Sequence, residues 1–133
     1  MLQPYFDEIS RFVNKNINPL TRVDKQFTRV EALRVLNKYP DRIPIVVNRS
    51  YNAPETTPYI DCHKFLVPGD LTIGQFMYVI RKRIKLAPHQ AMFLFINDVI
   101  PPTGSLISSV YEEMKDEETL FLYVTYSLEN TFG

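Results

Sequence analysis

Cysteine is nearly missing from this 133-residue chain, where Cys62 stands alone. One thiol cannot close an internal disulfide, and a secreted domain this small would often carry several bridges, so the fold must rest on a packed core. Long apolar runs are missing as well. The longest uncharged ones, such as Ala91 to Asn97, fall far below the roughly 20 residues needed to cross a bilayer, and the N-terminus has no basic-then-apolar signal. The cytosol is therefore the expected compartment. There is no internal repeat, no low-complexity stretch and no basic motif interleaved with aromatics, so nucleic acid is not an expected partner. Two histidines and one cysteine make no metal-ligand spacing, and neither a metal nor a cofactor is expected.

What is present is the balance of a globular domain, with 45% apolar and 23% charged residues, in a length that suits one core. The net charge of zero hides an asymmetry. Residues 1–90 carry fourteen Lys/Arg against eight Asp/Glu, whereas residues 91–133 carry one Lys against seven Asp/Glu. Such a layout allows a basic face toward acidic peptides or an anionic surface, although a solvated exterior needs no more than this.

Tyr5-Phe6, Ile9 and Phe12-Val13 recur at spacings of three and four, which predicts a short amphipathic helix ending near Asn18-Pro19. Thr21-x-x-Asp24 has capping-box spacing, so a second helix is expected with Phe27, Val30, Leu33 and Leu36 on its apolar stripe, stopped by Tyr39-Pro40. Ile43 to Val47 is β-branched and bounded by turns, and Lys64 to Val67 is a second strand closed by Pro68-Gly69-Asp70. These two should pair as an antiparallel hairpin, the second at an edge of the sheet.

Thr72-x-x-Gln75 opens the clearest helix, with Ile73, Phe76, Met77, Ile80 and Ile84 on one face and Arg81, Lys82, Arg83 and Lys85 opposite. Met92 to Ile96 predicts a buried strand, Asn97-Asp98 a turn, Leu106 to Met114 a short helix, and Thr119 to Tyr126 the last strand. The order is two helices, then β-β-α-β-α-β. It fits an α+β, ubiquitin-like β-grasp with two additional N-terminal helices, divided into an extension packed on the core (1–40), the grasp domain (41–128) and a flexible tail (129–133).

Several collinear motifs resemble one known family: Asp41-Arg42-Ile43-Pro44, Phe65-Leu66-Val67-Pro68, Asp70-Leu71-Thr72-x-Gly74-Gln75-Phe76, Ile80 to Ile84, Pro101-Pro102-Thr103, Phe121 to Tyr126 and the ending Glu129-Asn130-Thr131-Phe132-Gly133. Together they span about residues 27–133 and are similar to the autophagy ubiquitin-like modifiers, the GABARAP and microtubule-associated light-chain family. The resemblance implies a protein joined through Gly133, with Phe132 in the conjugation signal, to phosphatidylethanolamine on autophagosome membranes. It implies activating-like and conjugating-like enzymes as partners, together with a cysteine protease that processes or deconjugates the tail. A terminal glycine has no side chain to obstruct a narrow enzyme channel, and a two-chain lipid anchors far more stably than a single acyl chain.

The resemblance also implies cargo receptors that carry aromatic-x-x-aliphatic peptides. Their strand would add to a sheet edge while two pockets choose the side chains. The first pocket maps onto Glu31, Val35, Pro44, Val46, Lys64, Leu66 and Phe121. The second maps onto Phe65, Val67, Pro68, Leu71, Phe76, Val79 and Arg83. Residues 64 and 66 fall on one face of a strand and 65 and 67 on the other. Arg42, Lys64 and Arg83 would attract acidic flanks, each exposed pair contributing up to about 1 kcal/mol. Two buried anchors at roughly 1.5–3 kcal/mol each, plus edge hydrogen bonds at about 1 kcal/mol apiece, less the ordering of the peptide, lead to micromolar affinity, about −8 kcal/mol. Cys62-His63 replaces residues that are usually basic in the family, the 48–60 loop is longer, and so is the N-terminal region.

Two other readings can be set beside this one. An enzyme using Cys62 and His63 is not expected, because neighbouring strand residues point to opposite faces and no orienting third group accompanies them. The alternative is a β-grasp adaptor for trafficking or the cytoskeleton that is never conjugated.

Overall fold

Ile43, Ile45 and Val47 fall on one side of a strand, Pro44 and Val46 on the other, and both sides are apolar, so this strand is satisfied only when covered on both faces. The computed structural model, which describes residues 3–4 and 22–130, covers it in that way. A five-stranded mixed sheet runs in the order β1-β3-β2-β5-β4. Its strands are β1 (Gln3–Pro4), β2 (Arg42–Arg49), β3 (Lys64–Pro68), β4 (Phe93–Phe95) and β5 (Leu122–Ser127). The central strand β2 pairs antiparallel with β3 and parallel with β5, while β4 closes the far side against β5. This is the α+β grasp arrangement, with one strand more than the four expected. The helix expected over residues 5–13 and the tail residues Phe132 and Gly133 lie outside the described residues.

Register turns the alternation of each strand into rows across the sheet. Phe65, Ile45 and Leu122 are matched, and all three enter the main core with Val47, Val67, Val124 and Tyr126. Across that face lies α2 (Ile73–Arg83), which contributes Ile73, Phe76 and Ile80. Its start is fixed by a complete capping box: the Gln75 amide donates to Thr72 Oγ1 at 3.1 Å, and the Thr72 amide donates to Gln75 Oε1 at 2.8 Å. Two backbone donors are thereby satisfied at the helix end. The third helix, α3 (Ile107–Met114), adds Ile107, Val110 and Tyr111 to the same core. It approaches the β3–α2 turn so closely that a Cβ on Gly69 would lie 3.1 Å from Ser108 Cβ.

The opposite face is covered by α1 (Arg22–Lys38). Here the expected apolar stripe is corrected, since Val30 is 52% and Leu33 49% exposed, while Thr28, Glu31 and Ala32 are buried. The reason is physical. Ala32 is small enough to let the helix approach Val46 and Phe121, and Glu31 is drawn inward by an ion pair with Lys64. An ionised carboxylate placed here must meet its partner, and that requirement, not apolar spacing, sets the rotation of the helix.

Loop geometry is fixed by a few polar side chains. Asn97 and Asp98 both adopt positive φ, 52° and 63°, with paired Ile96 and Val99 amides and carbonyls at 2.8 and 3.0 Å, as a tight hairpin turn requires. Across the 50–60 loop, the Arg49 guanidinium donates to the Thr57 carbonyl at 2.9 Å and the Pro54 carbonyl at 2.8 Å. Tyr126 Oη donates to the Pro58 carbonyl at 2.6 Å.

Candidate peptide-binding edge

The second strand of the hairpin, expected at an edge of the sheet, is instead the second strand in, because the two-residue β1 lies outside it; its outer edge is therefore not open along its whole length. Gln3 is matched antiparallel to Leu66 and Pro4 to Phe65, so the expectation of an unpaired edge is corrected at those two positions. On either side of this border lie the two sets of residues assigned from the sequence.

On the α1 side, the Lys64 ammonium donates to Glu31 Oε1, both side chains being buried. The ammonium also lies 5.4 Å from the centroid of the Phe121 ring, a cation–π distance. Val46, Phe121 and Ala32 form a small apolar cluster with half-buried Tyr123, whose hydroxyl is 2.9 Å from Thr119 Oγ1. Pro44 and Leu66 are matched across the hairpin and buried, and Val35 is half-buried. Lys64 is thus not an exposed cation available to acidic flanks, which corrects that part of the sequence reading. Glu31 Oε2 is buried with no hydrogen-bond partner among the described residues. Buried acceptors are rarely left without a donor.

On the α2 side, Phe65, Val67 and Phe76 are fully buried in the main core, with Phe65 and Phe76 edge to face at 6.3 Å between centroids. Leu71 packs against them and Pro68 and Val79 are half-buried. Arg83 reaches over this side, its guanidinium carbon 5.7 Å from the Phe65 ring centroid. Its Nε donates to Asp61 Oδ1 at 2.9 Å, and this hydrogen bond holds the Asp61 carboxyl below its usual range. Asp61 has no periodic signal in the sequence and was not singled out there. Leu71 and Val79 also line a cleft of about 720 Å³ that extends over the outward side of α2 to Tyr78, Lys82 and Thr103. Arg42, half-buried, opens β2 and is matched to Pro68 at this end of the hairpin.

Cys62 and His63 do not form a catalytic pair. The thiol is buried, donates to the Lys64 carbonyl at 3.4 Å, and is pushed up in pKa chiefly by that burial, the opposite of what a nucleophile needs. His63 Nδ1 lies 2.8 Å from both the Val47 carbonyl and Asn48 Oδ1. Both are acceptors, so this nitrogen carries the proton, and the ring braces the hairpin.

Comparison with known proteins agrees with this architecture. The family described as "Autophagy protein Atg8 ubiquitin like" matches residues 28–133. Autophagy-related protein 8e of Arabidopsis thaliana is 53% identical over 120 residues, 89% of this chain and 96% of that one. Autophagy-related protein 8 of Aspergillus niger is 56% identical over 105 residues, covering 79% and 86%. Among solved structures, Trypanosoma brucei ATG8 superposes with a TM-score of 0.72 at 38% identity, covering 85% of this chain and 92% of that one. Plasmodium falciparum Atg8 in complex with a P. falciparum Atg3 peptide gives 0.72 at 31% identity, covering 84% and 98%. The chain therefore belongs to the Atg8 family, the ubiquitin-like modifiers of autophagy that are conjugated to phosphatidylethanolamine.

Proposed function

We propose that the chain works as a lipid-anchored peptide receptor without chemistry of its own, conjugated through Gly133 and reading aromatic-x-x-aliphatic segments at the β3 edge. The observation that carries the peptide half is the placement of β3. Lys64 and Leu66 face α1 while Phe65 and Val67 face α2, so a strand laid beside β3 can send alternate side chains to two separate apolar sites. Glu31 Oε2, which has no hydrogen-bond partner among the described residues, favours an aromatic that brings a donor, an indole N–H or a phenol. Arg42 and Arg83 stand at the α2 end, where acidic residues of the visitor would be welcome.

The division of labour follows the chain. Residues 1–40 form the extension, 41–128 the receptor and 129–133 the conjugation tail. Activating-like and conjugating-like enzymes act on the tail, a cysteine protease processes or releases it, and cargo receptors occupy the edge. The Atg3 peptide on the Plasmodium relative supports a conjugating-type enzyme among the partners. The chain then divides its time between the cytoplasm and the autophagosome membrane. No helix among the described residues is long and apolar enough to cross a bilayer.

Incubation with activating and conjugating enzymes and phosphatidylethanolamine liposomes, followed by intact mass measurement, tests the first half. The wild-type chain is expected to gain the mass of the lipid and Gly133→Ala none. Equal behaviour of the two would favour an unconjugated adaptor.

A further inference from the structure

The strand β5 ends at Ser127, and the residues that lead to Gly133 leave the sheet there. A strand end with nothing to hold it frays, yet the next two amides both find acceptors. Glu129 donates to Ser127 Oγ at 3.1 Å, and Leu128 donates to Thr57 Oγ1 at 3.4 Å. The second acceptor is 71 positions away in the chain, on the 50–60 loop, and Thr57 is buried.

Thr57 is itself fixed by its surroundings. Its amide donates to the Pro54 carbonyl at 2.8 Å, and its carbonyl accepts from Arg49 Nε at 2.9 Å. The same guanidinium reaches the Pro54 carbonyl at 2.8 Å and lies over the Tyr59 ring, its carbon 4.7 Å from the centroid. A planar fork of donors shared among carbonyls of one loop allows them little relative movement. The loop is also tied to β5, since the Ser50 amide donates to the Tyr126 carbonyl at 2.9 Å and Tyr126 Oη to the Pro58 carbonyl at 2.6 Å. Leu128 and Glu129 line a small cleft of about 220 Å³ with Pro54, Thr56, Gln90 and Ala91, which leaves room beside the root of the tail for a partner's side chains.

From this geometry we infer that Thr57, held by Arg49, is a positioning residue for conjugation: it fixes the direction in which the tail leaves β5 and so narrows the cone in which the terminal glycine is presented to the enzymes. The inference rests on conjugation through Gly133, as proposed above. The lever is long. Four residues, Asn130 to Gly133, span at most about 14 Å, so a swing of roughly 30° at the root displaces the reacting carboxyl by about 7 Å. A misplacement of about 1 Å is already costly between reacting groups. An enzyme that must first order a loose tail loses binding strength to that ordering. Freeing the root should therefore raise KM for this chain and leave kcat nearly unchanged.

The test uses full-length chains with activating and conjugating enzymes and phosphatidylethanolamine liposomes, at a temperature where circular dichroism shows each chain folded. Thr57→Val keeps the size of the side chain and removes the acceptor, and its KM should rise about fivefold, the size of one lost hydrogen bond, with kcat within about twofold of wild type. Arg49→Met, which frees the loop, should raise KM in the same way, whereas Thr57→Ser, which keeps the hydroxyl, should restore the wild-type value. Hydrogen exchange at the Leu128 amide should be faster in Thr57→Val and Arg49→Met than in the wild type and Thr57→Ser. A folded Thr57→Val chain with the wild-type KM would overturn the inference, as would a rise that Thr57→Ser shares in full. Should Thr57→Val fail to fold, the KM of Arg49→Met decides in its place. A wild-type chain that gains no lipid would instead remove the conjugation reading, and the positioning role with it.

Discussion

The two faces of the sheet are built on different principles. Against α2, the core is large and almost wholly apolar, with Phe65, Phe76, Ile45 and Leu122 interlocked and fully buried. Against α1, the small apolar cluster of Ala32, Val46 and Phe121 shares the interface with a buried ion pair and a carboxylate oxygen lacking a partner among the described residues. The first face can lose little without losing the fold. The second is held by directional, replaceable interactions, which suits a surface that must admit a guest.

Truncation in the apolar core should be the most damaging change. Phe76→Ala is expected to cost about 3–5 kcal/mol, read as a fall in the denaturant midpoint with little change in slope. Lys64→Met should approach that size by another route, about 3–5 kcal/mol, because it leaves Glu31 charged and buried without a counterion. The comparison is sharpened by Glu31→Leu/Lys64→Met, which should recover most of that stability and still lose peptide affinity. A double variant as unstable as the single one would mean that the ion pair is not what distinguishes this face.

Next in size is the response to alkali. Tyr123 on the α1 side and Tyr126 and Tyr111 in the main core are each pushed up to about 12 from an ordinary 10, first of all by burial. For a phenol that ionises more easily when unfolded, stability is fully retained below pH 10. Stability is then lost as the pH rises from about 10 toward 12, because the unfolded chain releases protons first. Tyr123→Phe and Tyr126→Phe should each flatten that loss in thermal scans across this range. The smallest effects belong to the outward side of α1: Val30→Ala and Leu33→Ala should each change stability by no more than about 0.5 kcal/mol. A large loss at either would mean that these side chains are covered.

The same contrast explains what could be read in the residues alone. The main core was legible because its elements obey simple periods: the alternation of Ile43, Ile45 and Val47, and the Thr72–Gln75 box ahead of Ile73, Phe76 and Ile80. The rotation of α1 was not, since a 3.6-residue apolar pattern cannot register that Glu31 is pulled toward a lysine 33 positions away. Long-range polar ties were equally hidden, such as Arg49 holding the 50–60 loop or Arg83 meeting Asp61. The pocket residues on each side of β3 could be grouped by strand parity, whereas their burial depends on which helix lies above them. The pairing of Gln3 and Pro4 with β3 could not be anticipated either, because two residues are too few to show a period.

The most direct test of a two-sided β3 edge is an NMR titration of the full chain with an aromatic-x-x-aliphatic peptide, following amides and methyl groups together. The account predicts saturable shifts along β3 and on both flanks, at Val35 and Leu66 on the α1 side and at Val67 and Val79 on the α2 side. Shifts confined to one flank, or centred on the Tyr78–Thr103 cleft with β3 unchanged, would contradict it.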